Sequence, residues 1–190
     1  MVPTGYSVVC RFFPEYSRVG AFAHPQRSLE DVVGAAALLL SFHSLGSLMP
    51  RIQFSPAARY PFACDVQIYI SHVNQGGHLD NAQLLTLVSE ARVRFFKSLG
   101  YFESGVEGAN IVVGDIVAQY KSEGFHGETM RIEMATTDFN KYGFDLQFRM
   151  SDKETHREVA LGKIGIVFIT REERKVSPIP HAFLTKVNQL

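Results

Sequence analysis

The sequence predicts an α+β domain over residues 55–190, one long amphipathic helix packed on an antiparallel sheet. Three observations carry that prediction. A single apolar stripe of helical period runs from Leu84 to Leu99. Around it lie five segments with strand-like alternation or dense β-branched content. The links between the later segments (GFHG, FNKYG, SDKETHRE) are short and polar, which favours antiparallel neighbours. A helix with one apolar side and a sheet with one apolar face bury each other, and that need defines the class.

Phe62–Ser71 alternates, with Cys64, Val66, Ile68 and Ile70 on one side and Asp65, Gln67 and Tyr69 on the other, so it reads as a half-buried strand. HVNQGGH at 72–78 is a glycine-containing turn. Asp80 or Asn81 can cap the helix that follows, because their side-chain oxygens accept backbone N–H groups left open at a helix start. Leu84, Leu85, Val88, Ala91, Phe95 and Leu99 form its buried stripe, and Gly100 ends it. Arg92 falls near that stripe, so its charge must be paired or snorkel to water. Four strands follow at 110–121, 129–138, 142–150 and 159–170.

Length and composition suit one domain plus an extension: 190 residues, 46% hydrophobic and 20% charged. Nineteen basic residues balance nineteen acidic ones, which gives no general pull on nucleic acid or an acidic membrane. The two cysteines, Cys10 and Cys64, have neither metal-ligand nor disulfide spacing. They imply a reducing, cytoplasmic setting, with Cys64 a small core residue. Residues 1–50 read as an N-terminal extension without sustained period, either poorly structured or containing a short helix. Within it, Val32–Leu48 is apolar but interrupted by His43, Ser and Gly, and it follows Glu30 and Asp31. That pattern argues against a membrane span or a secretion signal. Met49 is an alternative natural start.

The segment ISHVNQGGHLDNAQLLTLVSEARVR at 70–94 carries Gly77-His78, Asn81 and Glu90-Ala91-Arg92 in order. In this it resembles the 4-hydroxybenzoyl-CoA thioesterase-like branch of the hotdog-fold acyl-CoA thioesterases. DFNKYGFDLQFRM and ALGKIGIVFI are similar to that family's last strands. The resemblance implies a hotdog domain, with the helix wrapped by a curved sheet, and a homodimer or homotetramer with sites between subunits near the helix N-terminus. It also implies hydrolysis of an acyl-CoA thioester without metal, with no cofactor beyond the CoA of the substrate. The family often places two acids in the turn, six and four residues before the Gly-His histidine. Here those positions hold His72 and Asn74, so neither supplies a carboxylate base. An acyl-CoA binder that has lost catalysis is therefore a second expectation. A hydratase is a third, but its motif is not found.

Each candidate has a functional and a structural reading. Gly76, Gly77 and the His78 N–H can polarise a thioester oxygen, or simply make a strand-to-helix turn. Asn74 can hold the carbonyl or a water but cannot serve as a base, and it also suits a turn. His72 is a candidate base, since imidazole gains and loses its proton near neutral pH; it is also an ordinary loop residue. His78 either touches substrate or orients the turn. Asp80 replaces the lost acid or caps the helix, with capping preferred. Glu90 lies off the apolar stripe and faces solvent or a partner subunit. Asn81, Lys121 and Lys141 are candidates for substrate contact, the lysines toward CoA phosphates, against a default of solvated surface.

Overall fold

The computed structural model describes residues 55–190. The expectations for residues 1–50 therefore lie outside the described residues. Strand β1 (Phe62–Gln67) is followed by helix α1 (Asn81–Ser98), strands β2 (Ala109–Tyr120), β3 (Thr129–Thr137), β4 (Gly143–Asp152) and β5 (Glu158–Thr170), and a short helix α2 (His181–Val187). The five strands form one antiparallel sheet in the order β1-β3-β4-β5-β2. The helix lies on one face, as the sequence predicts.

The core is the meeting of two apolar periods. From α1 come Leu84, Leu87, Val88, Ala91, Phe95 and Phe96. From the sheet come the alternate residues Met130, Ile132 and Met134 of β3, Phe144, Leu146, Phe148 and Met150 of β4, and Ile164, Ile166 and Phe168 of β5. Residues two apart on a strand share a face, so the intervening positions point outward. On that outer face Gln147 is buried, and its amide is used at both ends. Gln147 Nε2 donates to the Ser55 carbonyl at 3.1 Å, and Ala57 N–H donates to Gln147 Oε1 at 2.9 Å.

Two expectations need correction. Ile70 does not continue the buried side of β1: it is 71% exposed. Pairing with β3 ends at Gln67–Thr129, and the chain then makes a single 3-10 turn at Ile70–His72. The Tyr69 N–H donates to His72 Nδ1 at 3.1 Å and the His72 N–H to the Tyr69 carbonyl at 2.9 Å, a local closure that apolar alternation does not encode. Helix α2 has no counterpart in the sequence reading. It is seven residues long and starts from Pro180, and its Phe183 and Val187 are buried one turn apart. Arg92 finds the partner its position required, with Nε donating to Glu103 Oε1 at 2.6 Å.

Candidate active site

The start of α1 is built by local hydrogen bonds. Asp80 caps it, its Oδ1 accepting from Ala82 N–H at 2.8 Å and Gln83 N–H at 3.4 Å. Ahead of it, Asn74 closes the glycine turn. Its Oδ1 accepts from the N–H groups of Gly76 at 2.8 Å and His78 at 3.5 Å, and its carbonyl accepts from Gly77 N–H at 3.1 Å. Gly77 holds φ +83°, a backbone state that glycine reaches without Cβ strain. A Cβ at Gly76 would lie 3.0 Å from His78 Nε2, so the double glycine leaves room for the histidine ring.

Counting donors from Gly76 to Leu84 leaves one open. The N–H groups of Gly76, Gly77 and His78 are spent inside the turn. Leu79 N–H donates to the Gly124 carbonyl at 2.8 Å and Asp80 N–H to the His72 carbonyl at 2.9 Å. Ala82 and Gln83 are capped, and Leu84 N–H donates to the Asp80 carbonyl. Asn81 N–H, at the first helical position, is left without an acceptor among the described residues. The N–H groups of Gly76, Gly77 and His78 singled out in the sequence are thus engaged within the turn, while Asn81 N–H is not.

Asn81 lines a pocket of about 220 Å³ together with His78, Leu84, Tyr120, Lys121 and Glu123. The His78 Nε2 lies 3.9 Å from Glu123 Oε1. Its Nδ1 is 3.2 Å from the Leu79 carbonyl and 3.4 Å from Asn74 Nδ2. A carbonyl only accepts and an amide NH2 only donates, so the Leu79 contact favours a proton on Nδ1 and the Asn74 contact a lone pair there, while Nε2 is the nitrogen on the Glu123 side. Tyr120 OH donates to the Asn81 carbonyl at 3.3 Å and joins the end of β2 to the helix start.

His72 and Glu90 line a second cleft, of about 490 Å³, with Tyr69, Thr86 and Arg94. At 3.6 residues per turn, Asn81 and Leu84 lie on one flank of α1, and Thr86, Glu90 and Arg94 on the other. Glu90 Oε1 accepts from Arg94 Nε at 2.7 Å, one turn along the helix. Lys141 is brought to neither cleft. It follows Thr137, at the far end of the nine-residue β3 from the pocket loop. At about 3.3 Å per residue that separation is roughly 26 Å along the strand. The sequence reading missed Glu123 and Tyr120. Glu123 sits in a polar loop, and its approach to His78 is set by sheet pairing rather than by any local pattern.

Cys64 is half-buried, and burial pushes its thiol above the ordinary range. Among the described residues no three His, Cys, Asp or Glu side chains come together to hold a metal ion, and no helix is long and apolar enough to cross a membrane.

The comparisons agree with this architecture. The family model of the thioesterase-like superfamily matches residues 68–187, so the chain belongs to that superfamily. No curated protein matches it significantly by sequence. Among solved structures, it resembles a 1,4-dihydroxy-2-naphthoyl-CoA thioesterase from Synechocystis, with TM-score 0.62 and 19% identity over 68% of this chain and 96% of that one. It also resembles a putative thioesterase from Pseudomonas aeruginosa, with TM-score 0.62 and 20% identity over 67% of this chain and 98% of that one. A Staphylococcus aureus protein solved in complex with CoA gives TM-score 0.62 and 17% identity over 71% of this chain and 87% of that one. At these identities the likeness establishes the fold: a hotdog domain.

Proposed function

We propose that the chain hydrolyses acyl-CoA thioesters in the pocket at the start of α1. One observation carries this reading: Asn81, whose N–H is open at a helix N-terminus, lines a pocket that also holds His78 and Glu123. A free N–H at the positive end of a helix is suited to a developing oxyanion. In the step proposed, His78 Nε2 takes a proton from water, and the water oxygen attacks the thioester carbon. Glu123 steadies the imidazolium so formed. The tetrahedral oxyanion rests on Asn81 N–H. The C–S bond then breaks, and the proton held by His78 goes to the departing CoA sulfur. Asn74 keeps the turn and the ring of His78 in place, and Lys121 meets a CoA phosphate. The His78–Glu123 pair stands in for the carboxylates missing at positions 72 and 74. The reading needs no cofactor beyond CoA itself and goes with a cytoplasmic setting.

The same reading includes a homodimer. Strand β2 is a sheet edge twelve residues long, and Val113 and Ile116 are exposed on it. Such an edge invites pairing with another strand. A register shift lies between Val113 and Asp115. It puts Ile111 and Val113 on the same face as Ile116, Ala118 and Tyr120. A two-fold axis between Gly114 and Asp115 then pairs Val113 with the partner's Ile116 and Tyr120 with the partner's Ala109. Every apolar residue meets another on its own face, and the pocket lies at the seam.

A non-catalytic acyl-CoA binder is the second reading, favoured by the absence of a turn carboxylate and by the use of Asn74 within its own turn. Thiol release from short, long and aromatic acyl-CoAs, followed with a thiol reagent, separates the two. Wild type should turn over at least one of them, and His78→Ala and Glu123→Gln should lose most of that rate while staying folded. Measurable CoA binding with no thiol release from any substrate would leave the binder as the better description.

A further inference from the structure

We infer that Arg157 is a positioning residue for this pocket: its guanidinium fixes the 121–128 loop so that the Glu123 carboxylate faces His78. The inference rests on the catalytic reading of the pocket. Arg157 stands in the turn between β4 and β5, outside the pocket lining. Its Nη2 donates to both carboxylate oxygens of Glu128, at 2.7 and 2.8 Å. Its Nη1 donates to Ser122 Oγ at 3.1 Å and to the Glu123 carbonyl. Phe125 places its ring 5.8 Å from the same guanidinium. Glu128 passes the constraint on, since its Oε2 also accepts from Phe125 N–H at 2.9 Å. One planar cation therefore ties the loop at Ser122, Glu123 and Glu128.

The next residue is tied from the opposite side. The Gly124 carbonyl accepts from Leu79 N–H, and a Cβ at Gly124 would lie 2.9 Å from Ile68 Cδ1. Glu123 is thus held between Arg157 and the lead-in to α1, and its side chain reaches 3.9 Å from His78 Nε2. The turn that presents Arg157 is itself braced. Asp152 Oδ2 accepts from Thr155 N–H at 2.9 Å and Thr155 Oγ1–H at 2.5 Å. A lysine at 157 can keep an ion pair with Glu128, but a single ammonium on a flexible stem cannot reproduce the fork that spans three loop positions.

The test compares Arg157→Lys, Glu123→Gln and their combination, with kcat and KM measured on whichever acyl-CoA the wild type hydrolyses. Arg157→Lys should melt near wild type, keep KM within about two-fold and lose on the order of 10-fold in kcat, since small misplacements of catalytic groups are costly. Because Arg157 acts through Glu123, the double variant should be no slower than Glu123→Gln alone. Wild-type kcat in Arg157→Lys, or losses that multiply in the double variant, would overturn the inference. A wild type without turnover removes the catalytic reading instead. Hydrogen exchange then decides the structural half: amides of 121–128 should exchange faster in Arg157→Lys, and unchanged exchange overturns it.

Discussion

The two ends of α1 face the same physical problem and solve it differently. Each end of a helix leaves four backbone groups without an intrahelical partner. At the C-terminal end the open groups are met by an interlocking closure. Gly100 N–H donates to the Lys97 carbonyl and Tyr101 N–H to the Phe96 carbonyl, with Gly100 at φ +83°. Lys186 Nζ then donates to the Leu99 carbonyl at 3.1 Å and lies 4.0 Å from the Tyr101 ring centroid. Phe183 of α2 packs against Phe96, Tyr101, Phe144 and Phe168 beside it. At the N-terminal end, Asp80 and Asn74 satisfy their neighbours, but the N–H of Asn81, a residue of the pocket lining, is left without an acceptor among the described residues. The closed end contributes stability. The open end keeps one donor free, and the proposed chemistry is placed there.

The sharpest way to break this comparison is to damage the closed end. Phe183 is fully buried, so Phe183→Ala should cost about 3–5 kcal/mol in urea unfolding. The fraction that stays folded should keep its thiol-release rate, and a proportionate loss of rate per folded molecule would couple the two ends. Next in size is Asn81→Pro. Proline at the first helical position removes the N–H without opposing the helix, and Asp80 at φ −68°, ψ 145° already has the backbone that a residue before proline needs. Stability should barely move, while kcat should fall about 10²–10³-fold, the usual loss of one oxyanion donor. Full activity in Asn81→Pro would place the donor elsewhere.

Acid should loosen the β4–β5 turn, which presents Arg157, before the closed end. The Thr155 side-chain and backbone hydrogen bonds hold the Asp152 carboxyl below the ordinary carboxylate range. A depressed folded value means that its contribution is complete above the unfolded value, about 3.8, and fades as pH falls through the lower folded one. Hydrogen-exchange protection, corrected for the intrinsic rate, should therefore fall in the β4–β5 turn before it falls around Phe183 once the pH drops below about 3.8. In Asp152→Asn this pH dependence should disappear. The smallest effect is expected at Glu90→Gln. An exposed pair one helix turn apart contributes about 0.3–0.5 kcal/mol, so stability should change little, and thiol release should persist. Loss of turnover in Glu90→Gln would move the catalytic cleft to the other flank of the helix.

Much of this was legible in the sequence because it is written in short-range pattern. The stripe from Leu84 to Leu99, the Asp80 cap, the Gly100 stop and the alternation of β3 and β4 are local consequences of residue type and spacing. The need of Arg92 for a partner was legible too, though Glu103 as that partner was not. Ile70 was misplaced because a histidine hydrogen bond overrode the strand period. Helix α2 was missed because seven residues give too few apolar positions to stand out from a proline-rich tail.

By itself the sequence determined the α+β class, the helix with its caps and the turn that leads into it, since each depends on neighbours within a few residues. Only the tertiary structure decided which candidates share a pocket. It set His72 and Glu90 on one flank of α1 and His78 and Asn81 on the other, beside Lys121 and Glu123. The strand register brings the 121–128 loop against Leu79, and hydrogen-bond competition decides which N–H is left open. Both arise from contacts between residues distant in the chain, where spacing carries no information.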